Sequence, residues 1–210
     1  MCSNFCVSQR SKSAPRGAAQ LAAVMLFLGT ATQAFAHTNR GIGVGLASGF
    51  LHPLTGIDHL LAMVAVGIWG TQLGTPAIWL LPLTFPLVMS LGGVLGVRGA
   101  PVPAVEIGVA ASAVVLGIMI LLSARPLISI AACIVGVFAV FHGYAHGTEL
   151  PTAAEPLAYG LGFVLVTGLL HASGIAIGLV GRWPSGAIAL RALGAGISVV
   201  GFYLLMDLVR

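Results

Sequence analysis

PLISIAACIVGVFAVFHGYAHGTE, residues 126–149, decides the fold. From Pro126 to Phe141 there is only one basic or acidic neighbour, Arg125, and it lies just outside the stretch. The run is long enough to cross a bilayer as a helix, which takes about 20 apolar residues. It ends on Phe141-His142-Gly143-Tyr144-Ala145-His146-Gly147-Thr148-Glu149. On a helix His142 and His146 stand at i and i+4, and Glu149 follows at i+3, so the three project from one face. Two imidazoles and a carboxylate on one stripe form a metal-ligand set. Ionisable groups at membrane depth are expensive to bury and mark functional sites. A second cluster lies upstream, His52-Pro53-Leu54-Thr55-Gly56-Ile57-Asp58-His59, and offers the same chemistry. Together the clusters hold four of the six histidines and two of the five acidic residues.

The rest of the composition agrees with a membrane solvent. Of 210 residues, 58% are hydrophobic and 7% charged, against about a quarter charged in a soluble domain. The mean hydropathy is +1.06. The net charge of +4 overstates the basic character, because Arg10, Lys12 and Arg16 lie in the N-terminal segment; the remainder has six basic and five acidic residues. There is no basic patch for a nucleic acid. Cys2 and Cys6 share that N-terminal segment, which leaves Cys133 alone in an apolar run, read as a small buried hydrophobe.

Residues 1–16 are polar and basic, residues 17–35 apolar and rich in small side chains, and Ala34-Phe35-Ala36 fits a small-x-small cleavage rule. This reads as a secretory signal peptide over 1–36, with an uncleaved first transmembrane helix as the other reading. Cleavage after Ala36 makes His37 the mature N-terminus. A terminal His can chelate a metal through its amine and ring together; it can equally be a bystander after a cleavage site.

Downstream, residues 37–210 read as one all-α membrane domain of about six transmembrane helices. The first, 41–72, is expected to be discontinuous, broken near His52-Pro53, where proline removes a backbone donor. Spans at 77–97, 103–123, 126–147, 155–180 and 187–208 follow, and the short connections predict a compact antiparallel bundle. Gly92-x3-Gly96 and Gly174-x3-Gly178 allow close helix approach. With the signal removed the mature N-terminus faces the periplasm. Arg40, Arg98 and Arg210 then fall outside and Arg125, Arg182 and Arg191 inside, a tie under the positive-inside rule. Divided three plus three, the halves have opposite topology, and each is expected to open with an interrupted, ligand-bearing helix, as in inverted-repeat transporters.

Imidazoles mixed with carboxylates suit Ni, Co, Zn, Cu or Fe(II) and suit Mg or Ca poorly. Met63 is read as core before it is read as a soft ligand. His171, alone in an apolar span, is read as a helix-to-helix hydrogen bonder first and a ligand second. Glu106 and Asp207 read as interfacial, Glu155 as solvated, and Glu149 as ligand or gateway.

His52-x5-Asp58-His59 and Phe141-His142-Gly143-Tyr144-Ala145-His146-Gly147-Thr148-Glu149 resemble the two signature motifs of the HupE/UreJ family, small bacterial permeases associated with nickel supply to hydrogenase and urease. The resemblance implies that nickel, or in some members cobalt, moves inward across the cytoplasmic membrane. It makes His52, Asp58, His59, His142, His146 and Glu149 the residues needed for transport. It implies no resident cofactor; the metal is cargo. The alternative is an intramembrane hydrolase with a His/Asp-bound zinc and an activated water, drawing on Asp58 and Ser173. Its weakness is that no nucleophile–base spacing supports it, whereas thiolate-free ligation suits a site that must release its ion. No nucleotide-binding loop is present, so the chain cannot by itself couple ATP hydrolysis.

Overall fold

The computed structural model describes residues 41–152 and 154–210. The signal peptide read over 1–36 and His37 lie outside the described residues. Within them the chain is helical: α1 (Ile42–Thr55), α2 (Ile57–Leu73), α3 (Ala77–Val97), α4 (Val105–Leu122), α5 (Ile128–Thr148), α6 (Pro156–Gly178) and α7 (Pro184–Asp207), with a short 3-10 segment Leu179–Arg182 between the last two. Five helices are long and apolar enough to cross a membrane, and the bent α1–α2 pair raises the number to as many as six.

The pattern of exposure is that of a bundle solvated by lipid. On α3, Leu81 and Phe85 are buried, while Leu83, Leu87 and Leu91 on the other face are more than 60% exposed. A soluble bundle would place polar groups on that outer face. In lipid the two faces differ in packing and not in polarity, and van der Waals fit between helices carries association.

The first span is broken near His52-Pro53, as expected, and the corner itself falls at Gly56. Pro53 sits inside the last turn of α1, where its missing N–H removes the helical bond to the Gly49 carbonyl but does not end the helix. Gly56 takes an extended conformation, φ −90° and ψ 112°, and ends α1 before α2 begins. The two pieces meet at 84°. The expected break in the fourth span does not occur: α5 runs unbroken from Ile128 to Thr148. It contains no proline, so nothing interrupts its backbone ladder between the two histidines and the preceding apolar turns.

The most extensive helix pairings are α3 with α5, α4 with α7, and α6 with both α1 and α2. Glycine makes the first of these close. A Cβ on Gly92 or Gly96 would strike the backbone carbonyls of Val140 and Tyr144, and one on Gly143 would strike that of Met89. The Gly174-x3-Gly178 pair plays the same part between α6 and α2, meeting Val64 and Thr71. At the end of α2 away from Gly56, Trp69 Nε1–H donates to the Ala124 carbonyl (3.0 Å) and Gln72 Nε2–H to that of Ile120 (3.2 Å). Two expectations for single residues are corrected. Cys133 is exposed on the bundle surface and not buried, because α5 buries Ala131 and Val135 on its packed face instead. Glu155 is not a free solvated group: its carboxylate accepts from the Ala158 N–H at 2.6 Å and caps α6.

Candidate metal centre

The α1–α2 bend and the end of α5 bring the two motifs together. His52 lies in the last turn of α1, Asp58 and His59 in the first turn of α2, His142 and His146 in the last two turns of α5, with Glu149 as the cap of α5. Because α3 grips the glycine face of α5, the histidine face turns toward the bend. The rings of His52 and His146 are 4.9 Å apart by centroid, those of His59 and His146 4.3 Å, and those of His59 and His142 4.6 Å. Residues 83 to 94 positions apart in sequence thus share one site, as a common coordination sphere requires.

Solvent reaches the site from one end. Side-chain exposure falls from 54% at Glu149 and 36% at His52 to 12% at His59 and 6% at His146, and His142 is fully buried. At the open end His52 Nε2–H donates to Glu149 Oε2 at 2.9 Å, and His146 Nδ1 lies 3.9 Å from the same oxygen. One ligand atom each from His52, His146 and Glu149 can be chosen so that all lie within 4.8 Å of one another, a spacing that a single ion can draw in. Farther in, Asp58 Oδ1 accepts from His59 Nδ1–H at 2.7 Å and from the His59 backbone N–H at 2.8 Å. Asp58 therefore grips His59 and leaves the opposite ring nitrogen, Nε2, buried and without a partner. Carboxylates behind metal-binding imidazoles do this routinely, fixing tautomer and orientation. Both nitrogens of His146 and Nδ1 of His142 are also buried and unpartnered, a concentration of bare donors that an apolar interior tolerates poorly unless something binds them.

Three aromatic residues and a serine that the motifs do not include complete the walls. Phe163 packs at a tilt against His146 (4.1 Å between centroids), Tyr159 lies 6.3 Å from His52, and Phe85 packs edge-on against both His142 (5.4 Å) and His171 (5.3 Å). Ser112 of α4 hydrogen-bonds His142 at 2.9 Å. A lone serine or phenylalanine in an apolar span gives no sequence signal. The α6 stripe could have been found: Tyr159, Phe163, Thr167 and His171 recur every fourth position, one face of a helix, and all four are buried. A cavity of about 490 Å³ between α3, α5 and α6 reaches His146, Tyr159 and Phe163.

The remaining sequence candidates fall elsewhere. His171 Nδ1–H donates to the Met63 carbonyl at 2.7 Å, joining α6 to α2 as a helix-to-helix hydrogen bond, with its Nε2 buried and unpartnered. Met63 is core. Glu106 and Asp207 are exposed at helix ends. Ser173 is on the exposed face of α6, bonded to the Leu169 carbonyl, on the side of the helix away from buried His171 and hence not placed to serve the centre as a nucleophile.

The profile of the family described as HupE / UreJ protein matches residues 24–204. This chain belongs to the HupE/UreJ family. Among HupE/UreJ proteins, Protein HupE of Rhizobium leguminosarum bv. viciae is 38% identical over 177 residues, covering 84% of this chain and 93% of that relative. No solved structure matches the chain. The HupE/UreJ family is associated with nickel and cobalt transport linked to hydrogenase and urease, and with a membrane permease role.

Proposed function

We propose that this protein takes up a divalent transition-metal ion, foremost Ni2+ and secondly Co2+, across the cytoplasmic membrane of a bacterium, for a nickel enzyme such as a hydrogenase or urease. One observation carries the reading: four imidazoles and two carboxylates from distant parts of the chain meet in one site inside an otherwise apolar bundle. The ion is cargo. Glu149 and His52 receive it at the exposed end, His146 takes it inward, and His59 and His142 hold it at the buried end. His171, two turns farther along the α6 stripe from Phe163, is a further acceptor with a free Nε2. Nitrogen and oxygen ligands without thiolate bind such ions firmly enough to select them and loosely enough to pass them on.

Transport runs down an electrochemical gradient or is coupled to another ion. The mature N-terminus is periplasmic, and a processed His37 acts as an outer collecting ligand. His37→Ala, with cleavage and membrane abundance unchanged, is expected to lose uptake selectively at low metal concentration; identical uptake at all concentrations removes His37 from the pathway. The whole reading is tested with proteoliposomes containing only this protein and radioactive Ni2+. Accumulation that the His146→Ala variant abolishes is the expected result. No accumulation, together with a stoichiometric zinc retained through purification, favours the intramembrane hydrolase instead.

A further inference from the structure

Ser112 is fully buried on α4 and belongs to neither motif. Its Oγ lies 2.6 Å from the Val109 carbonyl and 2.9 Å from His142 Nε2. A serine hydroxyl has one proton to donate and lone pairs to accept with. The Val109 carbonyl can only accept, so the Ser112 proton goes to it. What Ser112 then turns toward His142 is a lone pair, and the hydrogen of that contact has to come from Nε2. A neutral imidazole protonated at Nε2 is bare at Nδ1. His142 Nδ1 is indeed the ring atom that has no protein partner. His59 is held in the same way with the nitrogens exchanged: Asp58 holds His59 at Nδ1 and frees Nε2, while Ser112 holds His142 at Nε2 and frees Nδ1. The two rings lie 4.6 Å apart.

We propose that Ser112 is a positioning residue of the metal pathway: it selects the Nε2–H tautomer of His142 and so presents Nδ1 to the ion. This rests on the reading of the site as a metal centre and adds the atom through which its deepest histidine binds. The position suits a hydroxyl. An alanine leaves the ring free to exchange tautomers, with no solvent at hand to replace the lost partner of this fully buried position. Partners of this kind alter metal affinity by about 10–100-fold when removed.

The test uses the full-length processed protein in detergent, labelled with 15N-histidine. Long-range 1H–15N correlation spectra of the metal-free protein identify the tautomer of each ring, with His142 assigned by its loss in His142→Asn. Nε2–H is expected for His142 in the parent. Ser112→Ala is expected to shift that ring toward the Nδ1–H form and to weaken Co2+ and Ni2+ binding, followed by visible absorption and titration calorimetry, by about 10–100-fold. Ser112→Thr keeps the hydroxyl and is expected to restore both; unfolding midpoints show that each variant is folded. An Nδ1–H tautomer in the parent overturns the proposal. So does a Ser112→Ala protein with unchanged tautomer and unchanged Co2+ affinity. A parent that binds neither ion defeats the transport reading instead, and the spectra still decide whether Ser112 sets the ring.

Discussion

His146 is the residue on which the centre turns: its ring is near both His52 and His59, and it shares Glu149 with His52. Its replacement by alanine is expected to reduce Ni2+ uptake to background, measured in membrane vesicles at matched protein abundance. Asp58 works one step behind, so Asp58→Asn is expected to lower uptake about 10–100-fold and not to abolish it, since an amide oxygen can still accept from His59 Nδ1–H. A histidine binds metal only when neutral. Acid fills the nitrogen lone pair, so uptake is expected to fall as external pH drops through the imidazole range, about 6.5 for an unperturbed ring; a steady rise on acidification would point to proton-driven import instead. The candidate ligands were legible in the sequence because histidine and carboxylate stand out in a chain that is only 7% charged. Their neighbours were not. Ser112 and Phe85 are ordinary residues of apolar helices, and their meaning comes only from facing His142. The role of Asp58 as the residue that orients His59 also depended on seeing which oxygen meets which nitrogen.

The element that sets the geometry is the bent pair α1–α2. Gly56 at the bend has little free space: a Cβ there would lie 3.1 Å from both Asp58 Oδ1 and His59 Nδ1, inside ordinary contact. Gly56→Ala is therefore expected to disturb the Asp58–His59 pair and depress uptake while leaving the fold intact, which a thermal unfolding measurement in detergent separates from general damage. The glycine seam between α3 and α5 has the opposite signature. Gly143→Ala drives a methyl group into the Met89 carbonyl; a forced fit of this kind costs about 1–3 kcal/mol, so both unfolding midpoint and uptake are expected to drop. The spans themselves were readable from the lengths of the apolar runs and from the charges and prolines between them. The break near His52-Pro53 was readable too, but not the residue that makes the corner. Proline at position 53 removes one helical bond, but the extended glycine after it makes the corner. The uninterrupted α5 shows the converse: a polar motif at the end of a span does not by itself imply a broken helix.

At the scale of the whole molecule, the pairings α3–α5, α4–α7 and α1–α6 each join one of the first three spans to one of the last three. The proposed periplasmic N-terminus, taken with six spans, would put Arg210 on the same side, so an alkaline phosphatase fused after it is expected to be active and a cytoplasmic reporter there inactive. The way the halves interlock was not legible in the sequence, because apolar helices in lipid carry no polar stripe to declare which neighbour each prefers. It has a consequence for how the protein is made. When the ribosome has delivered α1 to α4, the glycine face of α3 and the outer face of α4 have no counterparts yet, and the upstream histidines have no downstream histidines to meet. Those early helices must wait in or beside the translocon until the later ones emerge. A nascent chain arrested after α4 is therefore expected to be destroyed by membrane proteases, and to be rescued when residues 126–210 are supplied as a separate polypeptide in the same cell.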